Sequence, residues 1–264
     1  MSHTPHRLEV QNIRVGYGDR IVLSELSFQI PHGARVAVVG PNGAGKSTLF
    51  KALVGLLPLQ NGRILIHGEP LGSHRDCVAY VPQREEVDWR FPVTVNDVVM
   101  MGRFLQMGWF KRASAQDRDA VQKSLAQMGI VDLANHSIGQ LSGGQQQRAF
   151  LARAIAQEPH ILLMDEPFTG VDVTTQEATL RLLDHLRERD VTALVSTHDL
   201  NLAASRFDFI LLLKQRLITF GAPREVFTRE NLAQAFGNSL LMMDNGLALV
   251  DECCSPEEKF TIND

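Results

Sequence analysis

The stretch "RVAVVGPNGAGKST", residues 35–48, decides the core of the fold. It begins as a compact β-branched run that ends in glycine, as a buried parallel strand does. Residues 40–48 then match the pattern G-x-x-x-x-G-K-[ST], and "STLFKALVGLL" keeps helical spacing until Pro58. A strand, a glycine-rich loop and a helix in this order predict a phosphate-binding loop.

The chemistry of such a loop comes from its backbone. Glycines let N–H groups curl around phosphate oxygens, and the N-terminus of the following helix adds a favourable dipole. We expect Lys46 to reach the β- and γ-phosphates and Ser47 to ligate Mg²⁺. The alternative, a chance glycine-rich turn with a surface lysine, is disfavoured by the flanking strand and helix. The predicted nucleotide-binding residues of this loop are Gly40, Pro41, Asn42, Gly43, Ala44, Gly45, Lys46, Ser47 and Thr48.

A second hydrophobic strand ends in two carboxylates, in "ILLMDE", residues 161–166. Beside a phosphate-binding loop, Asp165 is expected to hold Mg²⁺ through water, and Glu166 to orient and polarise the attacking water. In isolation, two acidic residues that merely end a strand would be the ordinary interpretation. The phosphate-binding loop earlier in the chain favours the catalytic interpretation of Asp165 and Glu166.

A second candidate anion site lies in "LSGGQQQRAFLARAIAQEP", residues 141–159. Ser142 and two glycines precede a helix that Pro159 ends, so free N–H groups, a hydroxyl and the positive helix end point at one place. One nucleotide does not need two such cradles. The segment is therefore predicted to serve a nucleotide held by another copy of the chain. A plain N-cap would explain Ser142 but not the whole pattern.

Composition and charge narrow the class of protein. The chain has 264 residues, with 44% hydrophobic and 21% charged residues and a net charge of −4, which is typical of a globular protein and gives no support for nucleic-acid binding. The N-terminus lacks the apolar core of a signal peptide, and apolar runs are too short to span a bilayer. We expect a soluble chain, for which any membrane role would have to come through a partner. The cysteines (Cys77, Cys253 and Cys254) and histidines show no metal-ligand spacing, which predicts free thiols and no metal cluster.

The order of patterns along the chain predicts a mixed α/β core. Alternating runs in residues 8–30 indicate antiparallel strands, and "HILLMDE", an amphipathic helix and "TALVSTH" indicate a right-handed βαβ unit in a parallel sheet. From about residue 94 to residue 157 the pattern is mainly helical, and the predicted helical insertion covers about 84–157. We expect core segments at 1–83 and 158–237 with the helical part inserted between them. A C-terminal extension, 238–264, is predicted to be partly disordered.

The phosphate-binding loop, LSGGQ and the LLMDE strand, in this order, resemble the ATPase subunit of an ATP-binding cassette (ABC) transporter, over nearly the whole chain to about residue 237. The resemblance implies an α/β fold: a P-loop NTPase (RecA-like) core with an N-terminal antiparallel β subdomain and an inserted α-helical subdomain. One departure concerns "FTGVD", where many relatives have "SALD". It keeps Asp172 in register and puts the residues between Pro167 and Asp172 in doubt as site members.

Further site residues follow from this resemblance. It implies that Tyr17 stacks on adenine, that Gln83 senses Mg²⁺ and the attacking water, and that His198 contacts the γ-phosphate. It places the nucleotide of the opposite subunit against the LSGGQ segment, and Asp172 beside it. Taken alone, Tyr17, Gln83 and His198 would be a packing aromatic, a surface amide and a strand-end histidine. The signature residues of the implied site are Ser142, Gly143, Gly144 and Gln145.

The resemblance also implies an activity, hydrolysis of ATP with Mg²⁺, that powers transport through a separate membrane permease. In this interpretation Lys46, Glu166, His198 and Gln83 are catalytic, and the Mg²⁺ ligands are Ser47, Gln83 and Asp165. Two chains form a head-to-tail homodimer around ATP at the cytoplasmic face of the inner membrane, and an extracytoplasmic binding protein delivers the cargo. The alternatives are a cytosolic ABC protein that remodels ribosomes or DNA, and a regulator that binds nucleotide without hydrolysing it.

The stretch "VPQREEVDWRFPVTVNDVVMMGRFLQMGWF", residues 81–110, leads from Gln83 into the helical part. Aromatic and methionine residues are favoured at interface centres, so we expect a surface that docks the permease. Packing within the small subdomain is the alternative, most of all for Met100 and Met101. With "DEPFTGVD", the stretch resembles the importer branch for manganese, iron and zinc, which implies manganese or iron as cargo, then zinc; a metal chelate or another substrate is the alternative. The predicted docking residues are Trp89, Phe91, Met100, Met101, Met107 and Trp109.

Overall fold

The secondary structure comes from a computed structural model that describes residues 6–73, 77–83, 89, 91–107, 112–237, 240–243 and 246–249. The strands are β1 (His6–Tyr17), β2 (Arg20–Pro31), β3 (Arg35–Val39), β4 (Leu59–Ile66), β5 (Glu69–Pro70), β6 (Val78–Val81), β7 (Ile161–Met164), β8 (Thr192–Thr197), β9 (Phe209–Lys214), β10 (Arg216–Gly221), β11 (Leu240–Met243) and β12 (Gly246–Leu249). The helices are α1 (Lys46–Leu53), α2 (Val95–Met101), α3 (Phe104–Met107), α4 (Ala115–Gln127), α5 (Gly143–Ala156), α6 (Val173–Glu188), α7 (Leu200–Arg206), α8 (Pro223–Val226) and α9 (Arg229–Phe236).

The central sheet has the strand order β10-β9-β3-β8-β7-β6. Neighbouring strands from β9 to β6 are parallel, and β10 pairs antiparallel at the edge. Every residue of β7 and β8 is buried, as the uninterrupted apolar runs in the sequence predict for strands covered on both faces. The carboxyl ends of parallel strands meet at one edge, where ligands bind in open α/β sheets. The predicted parallel α/β core is confirmed.

The antiparallel sheet, β2-β1-β4-β5, comes mainly from the N-terminal third of the chain. Its apolar face shares one core with α1 and the central sheet, and that core includes Leu8, Phe50 and Val38. Phe50 is fully buried. Helix α1 is thereby held against both sheets, which gives the loop before it a rigid base.

The helical part lies between β6 and β7 in the chain. Helices α2, α4 and α5 pack on one another, and α5 also contacts α6 and β6. The buried Arg103 donates to Asp117 Oδ1 at 3.1 Å, to the carbonyl of Ala156 at 2.7 Å and to Glu158 Oε2 at 2.7 Å. This network ties the end of α2 to the beginning of α4 and the end of α5. The exact limits of the insertion, 84–157, stay a prediction.

Within the predicted C-terminal extension, β11 and β12 form an antiparallel hairpin. Residues 250–264, with Cys253 and Cys254, lie outside the described residues, so the predicted disorder there stays a prediction. In the part of the chain that the structure describes, the helices are too short or too polar to cross a membrane.

Candidate nucleotide site

The loop between β3 and α1 is shaped by its glycines. Gly43 and Gly45 have φ values of 76° and 98°, a backbone region that L-residues with side chains rarely adopt. A Cβ atom on Gly40 would collide with the carbonyl of Leu213, and one on Gly45 with the side chain of Leu23. Only glycine fits these positions, so the loop lies tightly on the core and its N–H groups remain near the N-terminus of α1.

A cavity of about 690 Å³ opens over this loop. Its volume lies within the range of small-molecule sites, roughly 300–1,000 Å³. Tyr17, at the end of β1, lines it and is 48% exposed, so its ring is available for stacking on a flat base. Gln83, just after β6, lines it from the side of the helical part. The lining residues are Tyr17, Arg20, Val22, Asn42, Gly43, Ala44, Gly45, Lys46, Ser47, Thr48, Gln83 and Glu166.

Lys46 is a buried cation at the base of the cavity. Its Nζ donates to the carbonyls of Gly40 at 2.9 Å and Pro41 at 3.3 Å, and it lies 3.9 Å from Glu166 Oε1. Burial lowers the pKa of Lys46, while the negative charges of Glu166 and Asp165 oppose that shift. The carbonyl groups that accept hydrogen bonds from Lys46 carry no net charge. A phosphate that binds this ammonium would supply a negative charge.

Asp165 and Glu166 are held by a serine from the neighbouring strand. Ser196 Oγ donates to Asp165 Oδ1 at 2.5 Å, and the amide of Glu166 donates to Ser196 Oγ at 2.8 Å. Tyr80 OH donates to Asp165 Oδ2 at 3.4 Å. Glu166 has a φ of 48°, in the left-handed region where a non-glycine residue is strained, and such strain clusters at functional sites. Ser196 lies inside the quoted "TALVSTH" but is not among the site residues predicted from the sequence.

The predicted Mg²⁺ ligands form a suitable donor set. Ser47 and Gln83 line the cavity with a hydroxyl and an amide oxygen, and Asp165, which is 2% exposed, is oriented by Ser196. Hard oxygen donors with few carboxylates are what Mg²⁺ prefers, since it keeps several waters and binds to substrate phosphates. The residues present therefore fit this ion.

His198 lies near the carboxylate of Glu166. It follows β8 and, with Glu166, lines a smaller cavity of about 150 Å³. Its side chain is exposed. Glu166 is thus shared by both cavities, between the phosphate-binding loop and His198.

The LSGGQ segment forms a separate group with Asp172. Ser142 and Gln145 make a reciprocal capping box at the start of α5, with hydrogen bonds of 3.3 Å and 2.9 Å. Gly143 is the first residue of that helix, and a Cβ atom on Gly144 would collide with the carboxylate of Asp172. Asp172 caps α6 by accepting from the amide of Thr175 at 2.8 Å, which lowers the pKa of Asp172. Among the described residues, the wall of the large cavity includes none of this group.

The predicted docking residues are divided by the structure. Phe91 is 60% exposed, but Trp89 is partly buried, with its ring centroid 4.9 Å from that of Phe150. Met100 also packs partly on the core, as the alternative interpretation held. Phe104 and Leu105, which the sequence analysis did not single out, are 58% and 57% exposed. Trp109 lies outside the described residues.

Comparisons with known proteins identify the family and the fold of this chain. At the level of the family, residues 23–169 match the model described as "ABC transporter". The manganese transport system ATP-binding protein of Bacillus subtilis is 46% identical, over 89% of this chain and 94% of that protein. The zinc transport system ATP-binding protein of Treponema pallidum is 43% identical, over 91% and 90%. The chelated iron transport system membrane protein YfeB of Yersinia pestis is 43% identical, over 93% and 84%.

Solved structures give the same result for the fold. An ABC transporter in an inward-facing conformation has a TM-score of 0.77 and 30% identity, and the alignment covers 92% of this chain and 95% of that chain. The ADP conformation of an ATP-binding cassette has a TM-score of 0.74 at 21% identity, over 88% and 99%, and at that identity supports the fold alone. With its phosphate-binding loop, its LSGGQ segment and its P-loop NTPase fold, the chain belongs to the ABC transporter family.

Proposed function

We propose that this chain is the ATP-hydrolysing subunit of an importer for divalent metal ions, with manganese or iron as the first candidates and zinc next. The enzymatic part of this proposal rests on one observation. Lys46 Nζ lies 3.9 Å from Glu166 Oε1, and both residues line a cavity of nucleotide size. The cargo is supported by the names of the relatives, which transport manganese, zinc and chelated iron. A metal chelate is the alternative cargo.

The cavity residues divide the work of phosphoryl transfer. Tyr17 stacks on the base, the loop amides bind the phosphates, and Lys46 neutralises the β- and γ-phosphate charge. Ser47, Gln83 and Asp165 would hold Mg²⁺, and the ion would further neutralise the charge of the phosphate oxygens. Glu166 accepts the proton of the attacking water, and His198, beside the second cavity, contacts the γ-phosphate. Positioned charge is what this reaction needs.

The active form in this proposal is a head-to-tail homodimer. Ser142, Gly144 and Asp172 lie together, apart from the wall of the large cavity of their own chain. The N-terminus of α5 nevertheless suits an anion, because the first amides of a helix have no acceptor within the helix. A second copy turned by a two-fold axis brings these amides to the phosphates on the opposite loop. Each site then combines the loop of one chain with the LSGGQ segment of the other.

The partner outside the dimer is a membrane permease, which holds the chain at the cytoplasmic face of the membrane and receives cargo from an extracytoplasmic binding protein. The exposed apolar residues Phe91, Phe104 and Leu105 lie at the beginning of the helical part. Helix α5 connects this part to the core, since it packs on α2 and α4 as well as on α6 and β6. Movement at the nucleotide is thereby passed to the docking surface.

Replacing Phe104 and Leu105 together by glutamate is expected to prevent docking. The few residues that dominate an interface cost about 2 kcal/mol or more when they are truncated, so loss of one such contact should lower permease co-purification and metal uptake about tenfold or more. ATP binding and the unfolding temperature of the isolated chain should not change, since both side chains are exposed. Leu56→Glu, 66% exposed and just beyond α1, is the matched control. Full uptake by the double variant would place the docking surface elsewhere.

A strain that lacks this chain is expected to lose uptake of manganese or iron under starvation for that metal. Wild-type protein should restore uptake and Lys46→Ala should not, because the permease depends on hydrolysis. Radioactive manganese, iron and zinc, supplied separately, measure the cargo. Normal accumulation of all three metals in the deletion strain would exclude the proposed cargo. Co-sedimentation with ribosomes in place of a permease would favour the non-transport alternative.

A further inference from the structure

Three metal-ligating side chains meet at the edge of the central sheet opposite the nucleotide cavity. His67, Cys77 and His160 each present one ligand atom, and these atoms all lie within 4.8 Å of one another. Their spacing along the chain follows no metal motif, so the sequence analysis expected no cluster. β7 separates His160 from Asp165, and five residues at about 3.3 Å each put roughly 16 Å between the two sites.

The backbone holds Cys77 and His160 side by side. Each directly precedes a strand, and those strands, β6 and β7, pair in parallel with Val78 opposite Ile161. The amides of His160 and Ile161 both donate to the carbonyl of Cys77, at 2.8 Å and 2.9 Å. The sheet register therefore fixes the distance between the thiol and the imidazole. Cys77 is buried and His160 is exposed, so an ion can enter from solvent.

The third ligand comes from the other sheet. His67 lies in the two-residue turn between β4 and β5, with a φ of 53°. Its amide donates to the carbonyl of Arg7 at 3.1 Å, which ties the turn to β1. Its Nε2 lies 2.9 Å from His160 Nδ1, with the two rings edge to face at a centroid distance of 5.0 Å. The cluster thus joins the antiparallel sheet to the parallel one.

The dimensions and the chemistry of the cluster suit a tetrahedral ion. Zinc binds nitrogen at about 2.0–2.1 Å and thiolate sulfur at about 2.3 Å, which places its ligand atoms about 3.3–3.6 Å apart. The observed ligand atoms, all within 4.8 Å of one another, lie close to this spacing. One thiolate with two imidazoles favours zinc-class ions over Mg²⁺, Ca²⁺ or Mn²⁺, which prefer oxygen. Water from the exposed side completes the fourth position.

The positive charge of Arg7, which lies next to the cluster, has to be balanced for a metal cation to bind. Arg7 Nη1 lies 3.0 Å from His67 Nε2. The Arg7 Nη2 group also donates to Asp190 Oδ2 at 2.9 Å and to the Asp190 carbonyl at 2.6 Å. Asp190 therefore offsets the charge of Arg7, and the Cys77 thiolate offsets part of the charge of a divalent ion.

We propose that His67, Cys77 and His160 bind one zinc-class divalent cation and that this ion clamps the two sheets together. The site is independent of the nucleotide cavity and of the cargo of the transporter. Binding to the folded chain alone raises its unfolding temperature, because the ligands come together only when both sheets have formed.

The test uses the full-length, untagged chain, stripped with a chelator and free of nucleotide. Titration with Co²⁺ should give the intense visible absorption of a tetrahedral site and a thiolate-to-metal band, at one ion per chain. Zn²⁺ should displace the Co²⁺ and raise the unfolding temperature. Absence of the thiolate band, or binding without any rise in unfolding temperature, would overturn the proposal.

Two variants and two controls connect these signals to the cluster. Cys77→Ser should abolish the thiolate band, and His160→Gln, at an exposed position that does not threaten folding, should weaken Zn²⁺ binding by about tenfold or more. The controls are the double change Cys253→Ser with Cys254→Ser, and His185→Gln at an exposed histidine of α6. Both should bind as the wild type does. A band that persists in Cys77→Ser and disappears in the Cys253/Cys254 variant would assign the metal to the C-terminal cysteines.

Discussion

Glu166→Gln is expected to bind MgATP and to lose nearly all turnover. A carboxamide cannot accept the proton of the attacking water, and loss of a general base costs about 10²- to 10⁴-fold in rate. The fold should tolerate the change, because the amide of Glu166, and not its side chain, makes the hydrogen bond to Ser196. Phosphate release under saturating ATP measures the rate, and calorimetry measures the affinity.

The same variant tests the geometry of the dimer. Without hydrolysis, ATP should hold two copies together, so size-exclusion chromatography with saturating ATP should show a dimer. Glu177→Gln, an exposed glutamate paired with Arg181 on α6, is the matched control and should hydrolyse ATP normally. A monomer in saturating ATP, together with normal hydrolysis by Glu166→Gln, would contradict both the role of this residue and the shared site.

Lys46→Ala is expected to lose nucleotide binding, the step that precedes hydrolysis. The ammonium is the buried cation of the loop, and its carbonyl partners leave its charge available to phosphate. Hydrogen bonds to charged groups contribute about 1.5–3 kcal/mol each, so loss of contacts to two phosphates should weaken ATP binding by about 100-fold or more. A calorimetric titration with ATP measures this loss, and the unfolding temperature shows whether the variant remains folded.

Two further experiments test whether the loss of ATP binding is specific to Lys46 and whether the site is shared between two chains. Lys123→Ala removes an exposed lysine that pairs with Asp119 on α4, and it should bind ATP as the wild type does. Near-normal affinity in Lys46→Ala would disprove its assigned role. Mixing Lys46→Ala with Ser142→Ala gives mixed dimers in which one site carries both changes and the other carries neither. Partial recovery of hydrolysis is expected, and no recovery at any ratio would contradict the head-to-tail arrangement.

Much of the nucleotide site could be predicted from the sequence because its parts are contiguous. A loop that binds phosphate needs its glycines, lysine and hydroxyl within nine residues, so the local pattern contains the chemistry. A buried strand that ends in carboxylates is equally local. The structure places Tyr17, Gln83 and Glu166 on the wall of the same cavity, and their roles there stay predictions.

Exposure of the apolar residues could not be predicted in the same way. Trp89 and Phe104 are both aromatic residues of the same stretch of sequence, yet Trp89 packs on Phe150 and Phe104 is exposed to solvent. The difference arises because α5 passes beneath Trp89, a contact between residues far apart in the chain. A glutamate at Trp89 would therefore disturb packing as well as docking, which makes Phe104 and Leu105 the sharper positions to change.

The sequence by itself determined the family, the phosphate-binding loop and the parallel core, because each depends on residues that are neighbours along the chain. Only the tertiary structure decided which distant residues work together. Ser196 reaches Asp165 because β8 pairs with β7, and Cys77 meets His160 because β6 pairs with β7 on its other side. Strand order brings these side chains close together, and strand order is set by the packing of two sheets and their helices around common cores.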